Sequence, residues 1–168
     1  MKIFYVHHAM REKANPPSQE DGLTALGVED ATLTGELFLQ GQNKGLNIKA
    51  IYTSPFNRCV KTAELIAKKL NVPIISEPRF NEFGSVFYAV KNQQDPNQKE
   101  TWLDCQNRII QALEDIVAKH NNEDTILCVT SGVNLAAFIA FAFNIPPSQN
   151  LPFPQVPSCS PIGFDINK

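Results

Sequence analysis

The sequence predicts an α/β fold, a three-layer sandwich with a mostly parallel central sheet. Three observations predict it. Short apolar runs of strand length alternate with longer segments of helical period along the whole chain. No internal repeat and no linker interrupts that alternation, so residues 1–168 are expected to form a single domain. Hydrophobic residues make up 43% of the 168 residues, enough to build a core without disulfide or metal staples.

Each element has its own signal. Ile3 to Val6 is a short apolar run of a buried strand. Arg11 to Gly22, with Pro16-Pro17, is polar and reads as a loop. Thr24 to Gln42 carries Ala31, Leu33, Leu37 and Phe38 at helical spacing, with Gly35 inside it. Ala50 to Thr53 is a second strand. Ser54-Pro55 then predicts a helix start, with Ser as cap and Pro at the first helical position, and that helix runs to about Leu70. Val72 to Ile75 reads as a third strand. Residues 78–99 are irregular and polar, with Asp95-Pro96 as a turn.

From about Lys99 to His120 the residues Trp102, Leu103, Ile109, Ile110, Leu113, Ile116 and Val117 form one apolar stripe of a long helix. Thr125 to Val129 is a fourth strand and Asn134 to Phe143 an apolar helix. Six prolines between Pro146 and Pro161 keep the tail extended, and Ile162 to Ile166 reads as an edge strand.

Composition narrows the function. Fifteen Lys and Arg face seventeen Asp and Glu, so there is no basic excess to neutralise a nucleic-acid backbone. The longest apolar run, Leu135 to Phe143, is too short to span a bilayer, and Met1-Lys2 leads into only four apolar residues. A cytoplasmic protein with no nucleic-acid or membrane partner is expected. Cys59, Cys105, Cys128 and Cys159 are far apart in sequence, form no Cys-x-x-Cys pair, and read as reduced packing residues. Only three His are present, which leaves no metal-rich motif.

In parallel sheets, ligands bind beyond the carboxyl ends of the strands. The residues there are His7-His8, Ser54 to Arg58, Glu77 to Glu82 and Thr130 to Gly132. Familiar phosphate motifs are absent. Gly22 to Gly27 has P-loop spacing but Val28 stands where Lys is needed, and none of the four Cys has an Arg six residues later. What remains is a His at the end of the first strand and an Arg near the start of the helix after the second.

These segments resemble those of the histidine phosphatase superfamily, with its phosphoglycerate mutase-like fold. His7-His8-Ala9 stands where the family has Arg-His-Gly after its first strand. Asp21 to Gly27 is similar to its Asp-x-Leu-Thr-x-x-Gly segment. Ser54 to Ala63 closely resembles its Ser-x-x-x-Arg-x-x-x-Thr-Ala signature. Arg79-Phe80-Asn81-Glu82 is similar to the stretch with its acidic proton donor. Glu100 to Leu113 resembles its helix with a central Arg, here Arg108. Ile126 to Gly132 lies where it has Val-x-Ser/Thr-His-Gly.

The resemblance implies a phosphohistidine nucleophile at His8, a phosphate clamp at Arg58 and a proton donor at Glu82, without metal or cofactor. Two departures stand out. His7 replaces the first Arg of the usual pocket, and Ser131 replaces its second His. His7 would lie on the opposite face from His8 if the strand stays regular, as a packing or surface residue; if protonated beside the phosphate it would supply charge. Ser131 is either a helix cap or a neutral hydroxyl donor to phosphate. Arg11 is either a loop charge or a guanidinium returned to the pocket. Thr62 and Ala63 read as packing residues.

The expected function is hydrolysis of a small phosphomonoester. The alternative is a catalytically silent protein that binds a phosphorylated ligand. Phosphatase rather than mutase activity is expected because the region between Phe83 and Lys99 is small for a sugar-phosphate cap.

Overall fold

Alternate residues of the central strands feed two separate cores. Ile3, Tyr5, Ala50, Tyr52, Ile126 and Cys128 face one, while Val6, Ile51, Leu127 and Val129 face the other. This two-sided burial is why these strands read as continuous apolar runs. The computed structural model describes residues 1–12, 20–83, 100–148, 150 and 155–166. Its sheet contains β1 (Lys2–His7), β2 (Ile48–Thr53), β3 (Ile74–Ser76), β4 (Thr125–Thr130) and β5 (Pro161–Asp165), in the order β3-β2-β4-β1-β5. β1 and β2 each run parallel to β4, and β3 runs parallel to β2. β5 is antiparallel to β1. The sheet is therefore mostly parallel, as the sequence predicts.

Helices cover both faces. α1 (Ala25–Asn43) and α2 (Asn57–Leu70) lie on one side, with Phe38, Cys59, Ala63 and Ile66 against the sheet. α3 (Trp102–Lys119) and α4 (Leu135–Ala142) lie on the other, with Ile109, Leu113, Ile116 and Phe138 buried there. No helix among the described residues is long and apolar enough to cross a membrane.

Several boundaries differ from the sequence reading for definite reasons. α2 starts at Asn57 rather than at Pro55, and Phe56 occupies the cap position without a side-chain bond. The Ser54 hydroxyl donates to Asn81 Oδ1 at 2.8 Å and its oxygen accepts from Phe56 N–H at 3.4 Å, ahead of the first turn of α2 rather than within it. β3 lies two residues later than Val72, and a 3-10 turn at Pro78–Phe80 follows it. α3 starts at Trp102 because Thr101 and Asp104 form a reciprocal capping box. Leu33 and Leu37 of α1 are exposed, while Ala31 and Phe38 are buried. Pro16-Pro17, the Asp95-Pro96 turn, most of the Phe83–Lys99 region, Pro152 and Pro154 lie outside the described residues. All four cysteines are free and buried, as expected of packing residues.

Candidate functional site

The carboxyl end of β4 gathers the segments that the sequence singled out. His8 N–H donates to Thr130 O at 2.9 Å, and Ser54 N–H donates to Val129 O at 3.0 Å. From there His8, Arg58 and Glu82 are linked side chain to side chain. The Arg58 Nε–H donates to His8 Nε2 at 3.1 Å, and Arg58 Nη2 donates to Glu82 Oε2 at 2.6 Å. The Arg58 guanidinium also lies over the Phe56 ring, 4.6 Å from its centroid. The first turn of α2 thus delivers both the guanidinium and the aromatic face that supports it.

The His8 tautomer follows from its partners. Nδ1 lies 2.8 Å from Ala9 O, which can only accept, so Nδ1 carries the hydrogen and Nε2 the lone pair. Burial lowers the His8 pKa to about 3; Arg58, Arg11 and His7 add to the lowering, and the Ala9 carbonyl opposes it. The imidazole is neutral at physiological pH, with its lone pair facing Arg58.

That shift carries a stability consequence. An imidazole with a folded pKa below its unfolded value near 6.5 weakens the fold on acidification, because the unfolded chain takes up the proton first. The loss begins as pH falls through about 6.5 and continues toward about 3. At pH 5 it reaches about 2 kcal/mol. His8→Gln is expected to flatten this part of the profile of urea midpoint against pH. A slope between pH 7 and 5 as steep as that of the wild type would show that His8 is not its source.

His7 departs from the expected geometry. β1 ends at His7, so strand alternation stops there and the two His rings meet edge to face, 4.6 Å apart. Gly132 admits the His7 ring: a Cβ there would come within 3.2 Å of His7 Cε1. His7 Nδ1 bonds to Val156 O at 3.1 Å. Burial lowers its pKa, against the Val156 and Pro157 carbonyls and Glu82, which raise it. The structure therefore replaces the opposite-face expectation with a His pair, in which burial disfavours a charge on His7.

Ser131 occupies the cap position of the 3-10 turn Gly132–Asn134 but makes no side-chain cap bond. Its Oγ is buried and has no hydrogen-bond partner among the described residues. Its carbonyl is held by the Tyr5 hydroxyl at 2.9 Å. Arg11 is tied to the buried carboxylate of Asp21 and is also close enough to His8 to depress its pKa. It is thus more than a loose loop charge, although its guanidinium is engaged with Asp21.

Some residues that position this site read as ordinary packing in the sequence. Thr62 Oγ1 accepts from Ala9 N–H at 3.0 Å and donates to Arg58 O at 2.7 Å. It thereby locks the backbone after His8 to the helix that carries Arg58. The signal was the four-residue spacing from Arg58, which places Thr62 one turn further along the same face of α2. Thr24 caps α1 by accepting from Gly27 N–H at 3.0 Å, and its own N–H donates to Met10 O at 3.0 Å.

Gly27 is needed for close approach. A Cβ there would lie 2.3 Å from Met10 O. Gly27→Ala is expected to destabilise the protein by about 1–3 kcal/mol, because backbone rather than a flexible side chain must move. A urea midpoint unchanged from wild type would show that the loop yields freely.

Cys59, next to Arg58, is not a competing nucleophile: burial pushes its thiol up to about 12, despite the opposing Arg58 charge. Among the described residues no group of three His, Cys, Asp or Glu is placed to hold a metal ion.

Known proteins share this architecture. The chain is similar to Bacillus stearothermophilus YhfR at 22% identity, covering 99% of this chain and 91% of that one with a TM-score of 0.76. It is similar to a mycobacterial glucosyl-3-phosphoglycerate phosphatase solved with VO3, at 16% identity, 96% and 90% coverage and a TM-score of 0.74. It is also similar to the Bombix mori ecdysone phosphate phosphatase in complex with tungstate, at 18% identity, 96% and 88% coverage and a TM-score of 0.70. At these identities the likeness concerns the fold. No curated protein matches the chain by sequence. The family model described as histidine phosphatase superfamily (branch 1) matches residues 9–86 and 85–167. With nearly every residue covered by that model, the chain belongs to the histidine phosphatase superfamily.

Proposed function

We propose that the protein hydrolyses a small phosphomonoester through a phosphohistidine at His8. The observation that carries this reading is the hydrogen-bonded chain His8–Arg58–Glu82, in which one buried guanidinium touches both nucleophile and acid. In the free protein Arg58 covers His8 Nε2. A phosphate dianion entering the site draws the Arg58 N–H groups onto its oxygens, which uncovers both Nε2 and Glu82.

Nε2 then attacks phosphorus, the bond from phosphorus to the leaving oxygen breaks, and Glu82 gives that oxygen its proton. Water attacks the phosphohistidine next, with the Glu82 carboxylate taking a proton from it. The P–N bond breaks and returns its electron pair to Nε2. The Ser131 hydroxyl is assigned to the phosphate oxygens as a neutral donor, His7 as a donor from Nε2 only once the phosphate charge draws a proton onto it, because its Nδ1 hydrogen is engaged by Val156 O, and Arg11 adds positive potential. Solved vanadate- and tungstate-bound phosphatases of this fold support an oxyanion ligand.

A screen of alkyl and aryl phosphomonoesters between pH 5 and 8, with acid-quench trapping of a labelled phosphoenzyme, tests the reading. Turnover with a phosphoenzyme supports it, and the absence of both overturns it.

The second reading is a silent phospholigand-binding protein. It is favoured by Ser131, which stands where the family has a second His and offers no charge. Missing cationic support of this kind lowers turnover by about 10²–10³ per group. Phosphate binding without a phosphoenzyme would select this reading.

A further inference from the structure

Glu82 lies on a segment without regular helix or strand, and its side chain is half-exposed. Nothing in its local sequence fixes where the carboxyl stands. Yet the four successive backbone carbonyls leading to it each accept a bond from a side chain of another element. Arg108 Nη1 donates to Arg79 O at 2.6 Å, and Arg108 Nη2 donates to Glu82 O at 3.3 Å. Asn134 Nδ2 donates to Phe80 O at 2.9 Å and to Asn81 O at 3.2 Å, and Thr130 Oγ1 adds a bond to Phe80 O at 2.6 Å.

Arg108 comes from α3 and is itself buried and fixed by the Glu100 carboxylate, which balances its charge. Asn134 ends the 3-10 turn after β4 and is fully buried. The side chain of Arg79 extends the anchorage to α3 through Asp115 at 2.7 Å.

We propose that Arg108 and Asn134 are positioning residues that clamp the Arg79–Glu82 backbone and thereby hold the Glu82 carboxyl beside Arg58 and His8. The proposal rests on the phosphatase reading for its catalytic consequence. Buried carbonyls in irregular backbone need donors. Side chains from two sides of the segment supply them here, so the backbone from the single 3-10 turn at Pro78–Phe80 through Glu82 keeps one conformation. Arg108 is assigned no part in the reaction itself: its guanidinium donates to Glu100 and to the Arg79 and Glu82 carbonyls.

The clamp should be felt where Glu82 is needed. An alkyl phosphate leaves as a basic alkoxide and requires the proton, whereas p-nitrophenyl phosphate leaves as a weakly basic phenolate and scarcely does. In Arg108→Lys and in Asn134→Ala, kcat on phosphoserine is expected to fall by about 10–100-fold and kcat on p-nitrophenyl phosphate by less than about 3-fold. Equal losses on the two substrates would overturn the positioning role, because damage to the pocket or to folding lowers both.

Hydrogen exchange provides a readout independent of turnover. Amides of residues 79–83 are expected to exchange faster in both variants while those of β1 and β4 keep wild-type rates. Arg108→Lys retains the charge opposite Glu100 on a single ammonium that cannot span both carbonyls, so it serves if Asn134→Ala fails to fold. Should wild type hydrolyse neither substrate, the phosphatase reading fails, and exchange at residues 79–83 still decides the clamp. Acceleration confined to that segment supports the clamp, and unchanged exchange overturns it.

Discussion

Substituting His8 by Ala is expected to bring phosphomonoester hydrolysis down to background, a loss of about 10⁴-fold or more, and to abolish the labelled phosphoenzyme. The expectation rests on tautomer and charge rather than on the residue type alone. The Ala9 carbonyl places the hydrogen on Nδ1, and burial with three nearby groups lowers the pKa to about 3, so Nε2 is unprotonated across the pH 5–8 range of the assay. A nucleophile with its lone pair already available leaves the acid limb of kcat/KM to other groups. The same variant removes the Nε2 acceptor of Arg58, so phosphate binding should survive while chemistry is lost. Substantial turnover remaining in His8→Ala would move the nucleophile elsewhere in the molecule.

Arg58→Ala carries the second largest effect. Arg58 is the buried cation that touches both His8 and Glu82, and Phe56 holds its plane. Removing it should lower kcat/KM by about 10²–10³-fold, the usual cost of losing one preorganised group at a transferring phosphoryl. It should also abolish ligand stabilisation. With phosphate or vanadate at ten times its Kd, wild type gains about 1.4 kcal/mol, which for a chain of this size is a Tm rise of about 3–5 °C. In Arg58→Ala the rise is expected to vanish at the same concentration. A wild-type Tm insensitive to both anions would remove the basis for a phosphate site at Arg58. A shift retained in the variant would place the anion on other groups. Arg58→Lys should recover little, because a lysine cannot reproduce the planar fork.

The fold was legible because its signals are local. Ile3–Val6, Ala50–Thr53 and Thr125–Val129 are short apolar runs, and Trp102 to Val117 repeats every three to four residues. Both patterns come from backbone periods that do not depend on distant residues. Helix starts were read less well. Ser54-Pro55 has the composition of a cap, but the Ser54 hydroxyl has a better partner 27 residues away in Asn81. A long-range partner that orients the side chain in this way leaves no mark on the local pattern.

The site divides along the same line. His8, Arg58 and Glu82 follow strand ends and stand at positions that resemble the family's motifs, and the structure brings their side chains together. The orientation of His7 was not legible, since alternation holds only within a strand and β1 stops one residue before His8. Ser131 looked like a cap, and only packing shows its hydroxyl buried without that bond. Thr62, Gly27, Arg108 and Asn134 matter through contacts between 17 and 54 residues distant in sequence.

By itself the sequence determined the layered α/β architecture and the strand ends at which His8, Arg58 and Glu82 lie. Periodicity and residue identity suffice for these. Tertiary structure alone decided that Arg58 bridges His8 and Glu82, that the two histidine rings meet, and that the Arg79–Glu82 carbonyls meet side chains from α3, the end of β4 and the turn after it. Those outcomes depend on which buried donor finds which acceptor across the sheet, and such pairing is settled only when the layers close on one another.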